Sequence, residues 1–330
     1  MAGKQIRIGI LGAADIAVRR FLPALQHVDG LVFAGVAISG ESRREKAEEI
    51  ISRYGGAVYP GYEALLQDTE VEAVYIPQPP AFHYRWAEQA LRQGKHVLLE
   101  KPGTTTLPET EALIALARQE NLALAENYAF CHHGQIALIR SAIAEGMLGR
   151  LRLIRAAFGF PYRDSGDFRY HAALGGGALL DCGGYTLKAA QMFLGDTTRV
   201  CAASLVWEDI HDVDLFGSVM LENRDGLTAQ VSFGMDNSYK CELEIWGSKG
   251  CLLSPRLFTP PADLTVNVNV RTAEGEKILT AHPDDQFGHM AERFLECIRE
   301  REAAEAEYDG LRRQMQLMEQ VREKAAGVTG

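Results

Sequence analysis

The first 125 residues alternate short apolar runs with charged, helix-favouring stretches. Ile6–Leu11 (IRIGIL), Leu31–Ile38 (LVFAGVAI), Ala73–Ile76 (AVYI), His96–Leu99 (HVLL) and Leu122–Ala125 (LALA) read as strands buried on both faces. Ser42–Tyr54 and Thr110–Gln119 lie between them and read as helices. Continuous apolar strands alternating with helices predict a parallel sheet covered on both sides. After about Asn127 the pattern changes. Residues 136–145 and 178–194 have helical spacing, whereas Thr228–Phe233, Cys241–Trp246 and LTVNVNVRT from Leu264 alternate in polarity. Such alternation predicts a mostly antiparallel sheet with one open face. Helical spacing returns over Gln286–Arg299 and Tyr308–Lys324. Two domains are therefore expected, 1–126 and 127–330: an α/β domain followed by an α+β domain with a large, mostly antiparallel, open-faced sheet.

Composition narrows the partners more than the fold. The 330 residues carry 34 Lys+Arg against 44 Asp+Glu, a formal net charge of −10, and no basic block stands out. Nucleic acid and anionic membranes are thus poor partners. No apolar run approaches the roughly 20 residues of a membrane span. The start, MAGKQIRIGILG, lacks the apolar core and cleavage site of a secretion signal. Six scattered cysteines without a Cys-x-x-Cys pair suit reduced thiols, and a cytoplasmic location is expected.

Chemistry enters at two places. IGILGAADIA joins the first strand to the first helix and approximates the dinucleotide fingerprint, with Gly12, Ala14 and Ala17 at the three key positions. Ala14 departs from it, placing a methyl group where a glycine would let the pyrophosphate approach. The bland alternative is an ordinary strand-to-helix turn. At the end of the second strand, AISGESRREK offers Ser39, Gly40, Arg43 and Arg44, which suit the extra phosphate of NADP. Glu41 argues for the NAD ribose instead, so NADP is favoured with NAD left open.

The second place combines distant segments. Lys101 follows the strand HVLLE and precedes Pro102, which biases it to extended geometry at the strand's carboxyl end. That edge is where open α/β sheets bind ligands. In GGGALLDCGGYTLK, Asp181 and Tyr185 are four residues apart and Lys188 three further on, so all three share one helix face. Taken alone, an exposed polar face would look the same.

Together these motifs resemble the glucose–fructose oxidoreductase / inositol dehydrogenase (Gfo/Idh/MocA) family of two-domain NAD(P)-dependent enzymes. The resemblance runs nearly end to end, through GILGAADIA, GKHVLLEKP, ENYAFCHH, GDFRYHAALGGGALLDCGGY and HPDDQF. Many relatives carry histidine where this chain has Tyr185. Tyrosine there is similar to the branch with glucose–fructose oxidoreductase, dihydrodiol dehydrogenase and the nucleotide-sugar 3-ketoreductases of deoxysugar biosynthesis. ADIAVRRFLPAL and SKGCLLSPRLFTPP look closest to the last group.

The resemblance implies a Rossmann dinucleotide-binding domain that holds the cofactor through Gly12, Ala13, Ala14, Asp15, Ile16, Ser39, Arg43, Arg44, Pro77, His83, Glu100 and Lys101. It implies Lys101 and Tyr185 meeting beside the nicotinamide. A ketone that accepts hydride needs a proton donor at its oxygen. A phenol, with an ordinary pKa of about 10, is a reluctant one unless an ammonium lies near. Tyr185 is therefore expected to be the proton donor, Lys101 its modulator, and Asp181 the orienter of the lysine or of a substrate hydroxyl. Lys188 is a competing modulator. Substrate contacts are expected from Lys101, Asn127, Arg163, Arg169, Tyr170, Asp181 and Tyr185, with the two arginines suited to a nucleotide diphosphate. The adjacent His132 and His133 lack a ligand cluster for a metal. The expected function is NADP-dependent reduction of a 3-keto nucleotide-linked deoxysugar. Dehydrogenation of free aldoses or trans-dihydrodiols is the enzymatic alternative, and a non-catalytic NAD(P)-binding regulator the remote one. The open sheet is expected to pair copies of the chain into a homodimer or homotetramer.

Overall fold

In a computed structural model, which describes residues 4–207 and 211–326, the five N-terminal apolar runs become strands and a short sixth, Ala57–Tyr59, joins them. These are β1 (Ile6–Leu11), β2 (Leu31–Ala37), β3 (Ala57–Tyr59), β4 (Ala73–Ile76), β5 (His96–Glu100) and β6 (Leu124–Asn127). They lie in the order β3-β2-β1-β4-β5-β6, every neighbouring pair parallel. Every residue of β4 is buried, as a sheet covered on both faces requires. The strand order reverses between β1 and β4, which makes the carboxyl ends of these strands the natural ligand edge. The helix expected over Thr110–Gln119 runs over Leu107–Glu120, its start set three residues earlier by a capping box. The Thr106 side chain accepts from the Glu109 N–H, and the Glu109 carboxylate accepts from the Thr106 N–H.

The chain forms two compact units. The first runs to Tyr128 and includes Phe287–Arg313; the second holds Ala129–Gln286 and the residues from Gln314 on. The sequence expectation had assigned all of 127–330 to the second domain. Phe287–Arg313 instead packs on the first, through specific ties. Tyr308 donates to the Leu122 carbonyl, Arg118 pairs with Glu305 at 2.7 Å, and Arg312 pairs with Glu111 at 2.7 Å. Amphipathic spacing shows that a helix has a buried face but not which sheet receives it.

The second unit is an eight-stranded sheet of β7 (Leu151–Gly159), β8 (Arg199–Trp207), β9 (Asp214–Glu222), β10 (Thr228–Gly234), β11 (Lys240–Gly247), β12 (Gly250–Ser254), β13 (Val266–Thr272) and β14 (Gly275–Ala281). The order is β14-β13-β12-β11-β7-β10-β9-β8. All pairings are antiparallel except β7 with β10. Burial alternates along β9 and β13, so one face is covered and the other open. The open face carries Trp207, Phe216, Met220 and Trp246, each more than a third exposed. Among the described residues no helix is long and apolar enough to cross a membrane.

Candidate active site

The nucleotide turn sits at the carboxyl end of β1. Gly12 has φ +105°, a backbone conformation that favours glycine, and a Cβ there would crowd the Tyr62 hydroxyl at 3.3 Å. Its N–H bonds the Ala37 carbonyl at 3.0 Å and its carbonyl accepts from Ala14 at 3.0 Å. Ala13, Ala14 and Ile16 are half-buried around the turn. Asp15 is exposed and pairs with Lys46 at 2.7 Å; that bond holds the Asp15 carboxyl below the usual carboxylate range. Beyond β2, Ser39, Glu41 and Arg43 are all exposed. Glu41 is engaged by Arg44, which also lies 3.9 Å from Glu48. Arg43, by contrast, has no carboxylate partner among the described residues. The Glu41 argument for NAD therefore weakens, and Arg43 rather than Arg44 is the available guanidinium.

Lys101 emerges from the end of β5 into a turn framed by buried polar groups, and the Lys101–Pro102 peptide is cis. Register places Glu100 beside Asn127, and Leu98 lies between Tyr75 and Ala125. The Glu100 carboxylate accepts from the Tyr75 hydroxyl and, at 2.6 Å, from Asn127 Nδ2. Burial pushes the Glu100 pKa up, against the Tyr75 and Asn127 bonds and the Lys101 charge. Glu126 accepts from the Gly103 N–H at 2.7 Å. His83, expected beside the cofactor, is instead wholly buried as a latch. Its Nδ1 lies 2.8 Å from the Pro102 carbonyl and its Nε2 2.7 Å from that of Gln78. A neutral imidazole donates to only one of them, and burial depresses the His83 pKa. Glu100 likewise turns its carboxyl inward, to Tyr75 and Asn127, rather than presenting it to a ligand. Pro77 is buried, directly after the end of β4.

In the second unit, Tyr185 stands on the helix Gly184–Leu194, which follows a wide π turn, Leu179–Gly183. Wide turns of this kind recur at functional sites. Gly177, at φ +114°, permits the entry; a Cβ there would lie 2.5 Å from Asp214 Oδ1. Asp214 Oδ2 accepts the Leu179 N–H at 2.7 Å, and burial pushes the Asp214 pKa up to about 6. Gln314 donates to the Gly184 carbonyl at 2.8 Å. The Tyr185 ring is fixed by Phe158, whose centroid lies 5.1 Å away, and by Phe130 and Phe258 at 5.7 Å each.

Two expectations for this unit change. Asp181, proposed to orient the lysine or a substrate hydroxyl, is 8% exposed and receives Arg169 Nε at 2.8 Å. Arg169 also donates to Asp167 at 3.1 Å. Burial would lower the Arg169 pKa, but the Asp181 and Asp167 charges outweigh it and raise it. Arg169 is thus spent on carboxylates rather than open to a diphosphate. Tyr170, expected to meet a sugar, is 2% exposed. Its hydroxyl donates to the Met235 carbonyl at 3.0 Å and accepts the Arg163 N–H at 2.9 Å. Arg163 itself is exposed, 3.8 Å from Asp167. His133 caps the helix Gly134–Ala144 by accepting the Gln135 N–H. Tyr75 and Asp214 escaped notice in the sequence. The only signals were a hydroxyl inside an apolar strand and an acid opening another.

Comparison with known proteins now bears on this geometry. Residues 6–128 match the model of an oxidoreductase family with an NAD-binding Rossmann fold, and residues 136–253 that of the GFO/IDH/MocA C-terminal domain. A dTDP-3,4-didehydro-2,6-dideoxy-alpha-D-glucose 3-reductase of Actinomadura kijaniata is 40% identical over 98% of this chain and 96% of its own. The chain belongs to the GFO/IDH/MocA oxidoreductase family. The structure of a 3-ketoreductase from A. kijaniata in complex with NADP and TDP-benzene superposes with a TM-score of 0.90, at 40% identity, covering 97% of this chain and 98% of that one. A D-xylose 1-dehydrogenase (NADP(+)) of Haloferax volcanii is more distant, at 31% identity over 88% of each chain.

The first unit fits the nicotinamide dinucleotide of this family. Gly12 leaves the turn open, Arg43 is an exposed guanidinium beyond β2 that feels the Asp15 charge without an ion-pair contact among the described residues, and Asn127 Oδ1 is buried with no hydrogen-bond partner. An orphaned amide oxygen at the ligand edge calls for a donor from outside the chain.

Proposed function

We propose that this protein is an NADP(H)-dependent reductase of a 3-keto, nucleotide-linked deoxysugar. The observation that carries the reading is its near-full-length likeness to a 3-ketoreductase crystallised with NADP and TDP-benzene. When bound, the cofactor supplies hydride to the ketone carbon. The residues 12–16 would hold the pyrophosphate at a helix start, Ser39 and Arg43 the adenosine phosphate, and Pro77 and Asn127 the nicotinamide end. Tyr185 gives its proton to the developing alkoxide and regains one from solvent. Lys101 supplies positive charge and a hydrogen bond to the same oxygen. Asp181, locked to Arg169, holds the wall of the substrate region rather than moving a proton. The likeness to a xylose dehydrogenase supports a second reading, oxidation of a free aldose by the same residues run as acceptors.

With that reading go a cytoplasmic location, which the scattered cysteines suit, and association of copies through the open sheet as a homodimer or homotetramer. That face presents Arg155 and Lys240 beside Glu242 and Glu244. Both signs on one patch are what a two-fold contact needs for self-complementarity.

The test is Tyr185→Phe, assayed by loss of reduced-nicotinamide absorbance with a panel of keto-sugars and by oxidation of aldoses. Turnover should fall roughly 10²–10⁴-fold with NADPH affinity retained. Full activity of the variant would remove Tyr185 from its role, and activity confined to aldoses would select the second reading.

A further inference from the structure

A nucleotide-linked substrate brings two phosphates, and the arginines nearest in sequence to the glycine-rich turn are poorly placed to meet them. Arg169 is held by Asp167 and Asp181, and Arg163 stands near Asp167. A third arginine of the second unit differs from both. Arg256 has no carboxylate partner among the described residues, and its Nε is buried without any hydrogen bond. Its guanidinium lies over the Tyr239 ring, 4.9 Å from the centroid, and the Tyr239 hydroxyl is 3.1 Å from Thr259 Oγ1.

The backbone that carries Arg256 is pinned by buried side chains. Gln135 Nε2 donates to the Arg256 and Leu257 carbonyls at 3.2 Å each, and Ser254 Oγ donates to Gln135 Oε1 at 2.7 Å. Gln286, 7% exposed, bonds the Phe258 carbonyl at 3.5 Å and keeps its own Oε1 unpaired. Phe258 in turn touches the Tyr185 ring. The cation thus stands two residues along the chain from a ring that fixes the phenol, a span of about 7 Å if extended. A guanidinium partly out of water with no counter-charge is costly to keep, and an anion at its open edge offsets that cost. Its planar fork suits the oxygens of a phosphate.

We infer that Arg256, seated on Tyr239, is the residue that grips the diphosphate of a nucleoside-diphosphate-linked substrate. The inference rests on the nucleotide-linked reading above and names the residue that reading lacks. The cofactor's own phosphates are the other source of this chemistry, so both ligands are measured.

The experiment is calorimetric titration of the full-length wild type, Arg256→Met, Arg256→Lys and the exposed-turn control Arg224→Met with thymidine diphosphate and, separately, with NADPH. Arg256→Met should bind thymidine diphosphate roughly 10- to 100-fold more weakly, with NADPH affinity unchanged as proof of folding. Arg256→Lys, which keeps the charge but loses the fork, should fall between, and Arg224→Met should match the wild type. Equal thymidine diphosphate affinity in wild type and Arg256→Met overturns the inference alone. A parallel loss of both ligands in Arg256→Met overturns it as well, because the effect is then not specific to the substrate. Absence of thymidine diphosphate binding by the wild type overturns the nucleotide-linked reading itself, and this inference with it.

Discussion

Lys101 owes its setting to Glu100, a buried acid one residue away that is tied to neighbouring strands by Tyr75 and Asn127. Burial favours its neutral form, while the two donors and the lysine favour its carboxylate. Protonation would remove a negative charge from beside Lys101. Glu100→Gln mimics that state, so its turnover should drop roughly tenfold while NADPH affinity holds. In the wild type the acid side of the kcat–pH profile should show a limb that Glu100→Gln lacks. The groups facing this acid are Tyr75 from β4, Asn127 from β6 and Lys101 itself, with Glu126 and His83 around the following turn. An unchanged profile would leave Glu100 a packing residue. Legibility at this scale was uneven. Lys101 and Tyr185 stood out because the motifs around them are specific to one family. Tyr170 and His83 were harder to place, because a polar side chain shows its chemistry in the sequence but not its direction, and for His83 local hydrogen bonding at a helix start was as good a reading as a cofactor contact. Both turned inward to backbone carbonyls.

The element that carries Tyr185 has its start fixed by one buried acid. Asp214 takes the Leu179 N–H, and its pKa of about 6 lies above the unfolded value of about 3.8. A raised carboxyl binds its proton more tightly when folded, so its contribution is fully present below pH 4 and is lost as pH rises through 6. Relative to Asp214→Asn, which keeps the acceptor, the wild type should therefore lose stability across that window, on the order of 2–3 kcal/mol. Urea unfolding of both proteins at pH 4, 5, 6 and 7 would show it. A constant difference across the series would mean that Asp214 does not titrate there. Among elements, the five named strands of the parallel sheet were readable because burial on both faces makes them mostly apolar, with Arg7 an exposed exception in β1. Only β6 was displaced, starting at Leu124 rather than Leu122. The short β3 and the outer strands β8 and β14 gave little signal, since edge strands are exposed and weakly periodic.

At the scale of the molecule, an acidic chain still exposes tryptophans on its open sheet, Trp207 at 53% and Trp246 at 52%. Isolated monomers seldom leave such a patch uncovered. Size-exclusion chromatography with light scattering should give twice the mass of the chain or a higher multiple, and Trp246→Glu should shift it towards one copy. A wild type that runs as a single copy at micromolar concentration would end the pairing model. The division into two units was visible as the change from buried to alternating strands, whereas the return of Phe287–Arg313 to the first unit had no local signature.

The contact between Arg44 and Glu41 reaches furthest beyond the reaction itself. An acid of the kind that selects for NAD is present in this chain, but a neighbour occupies it. On the NADP reading, Arg44→Met should free Glu41 for a ribose and strengthen NAD binding relative to NADP by no more than a few-fold, because so exposed an ion pair contributes little.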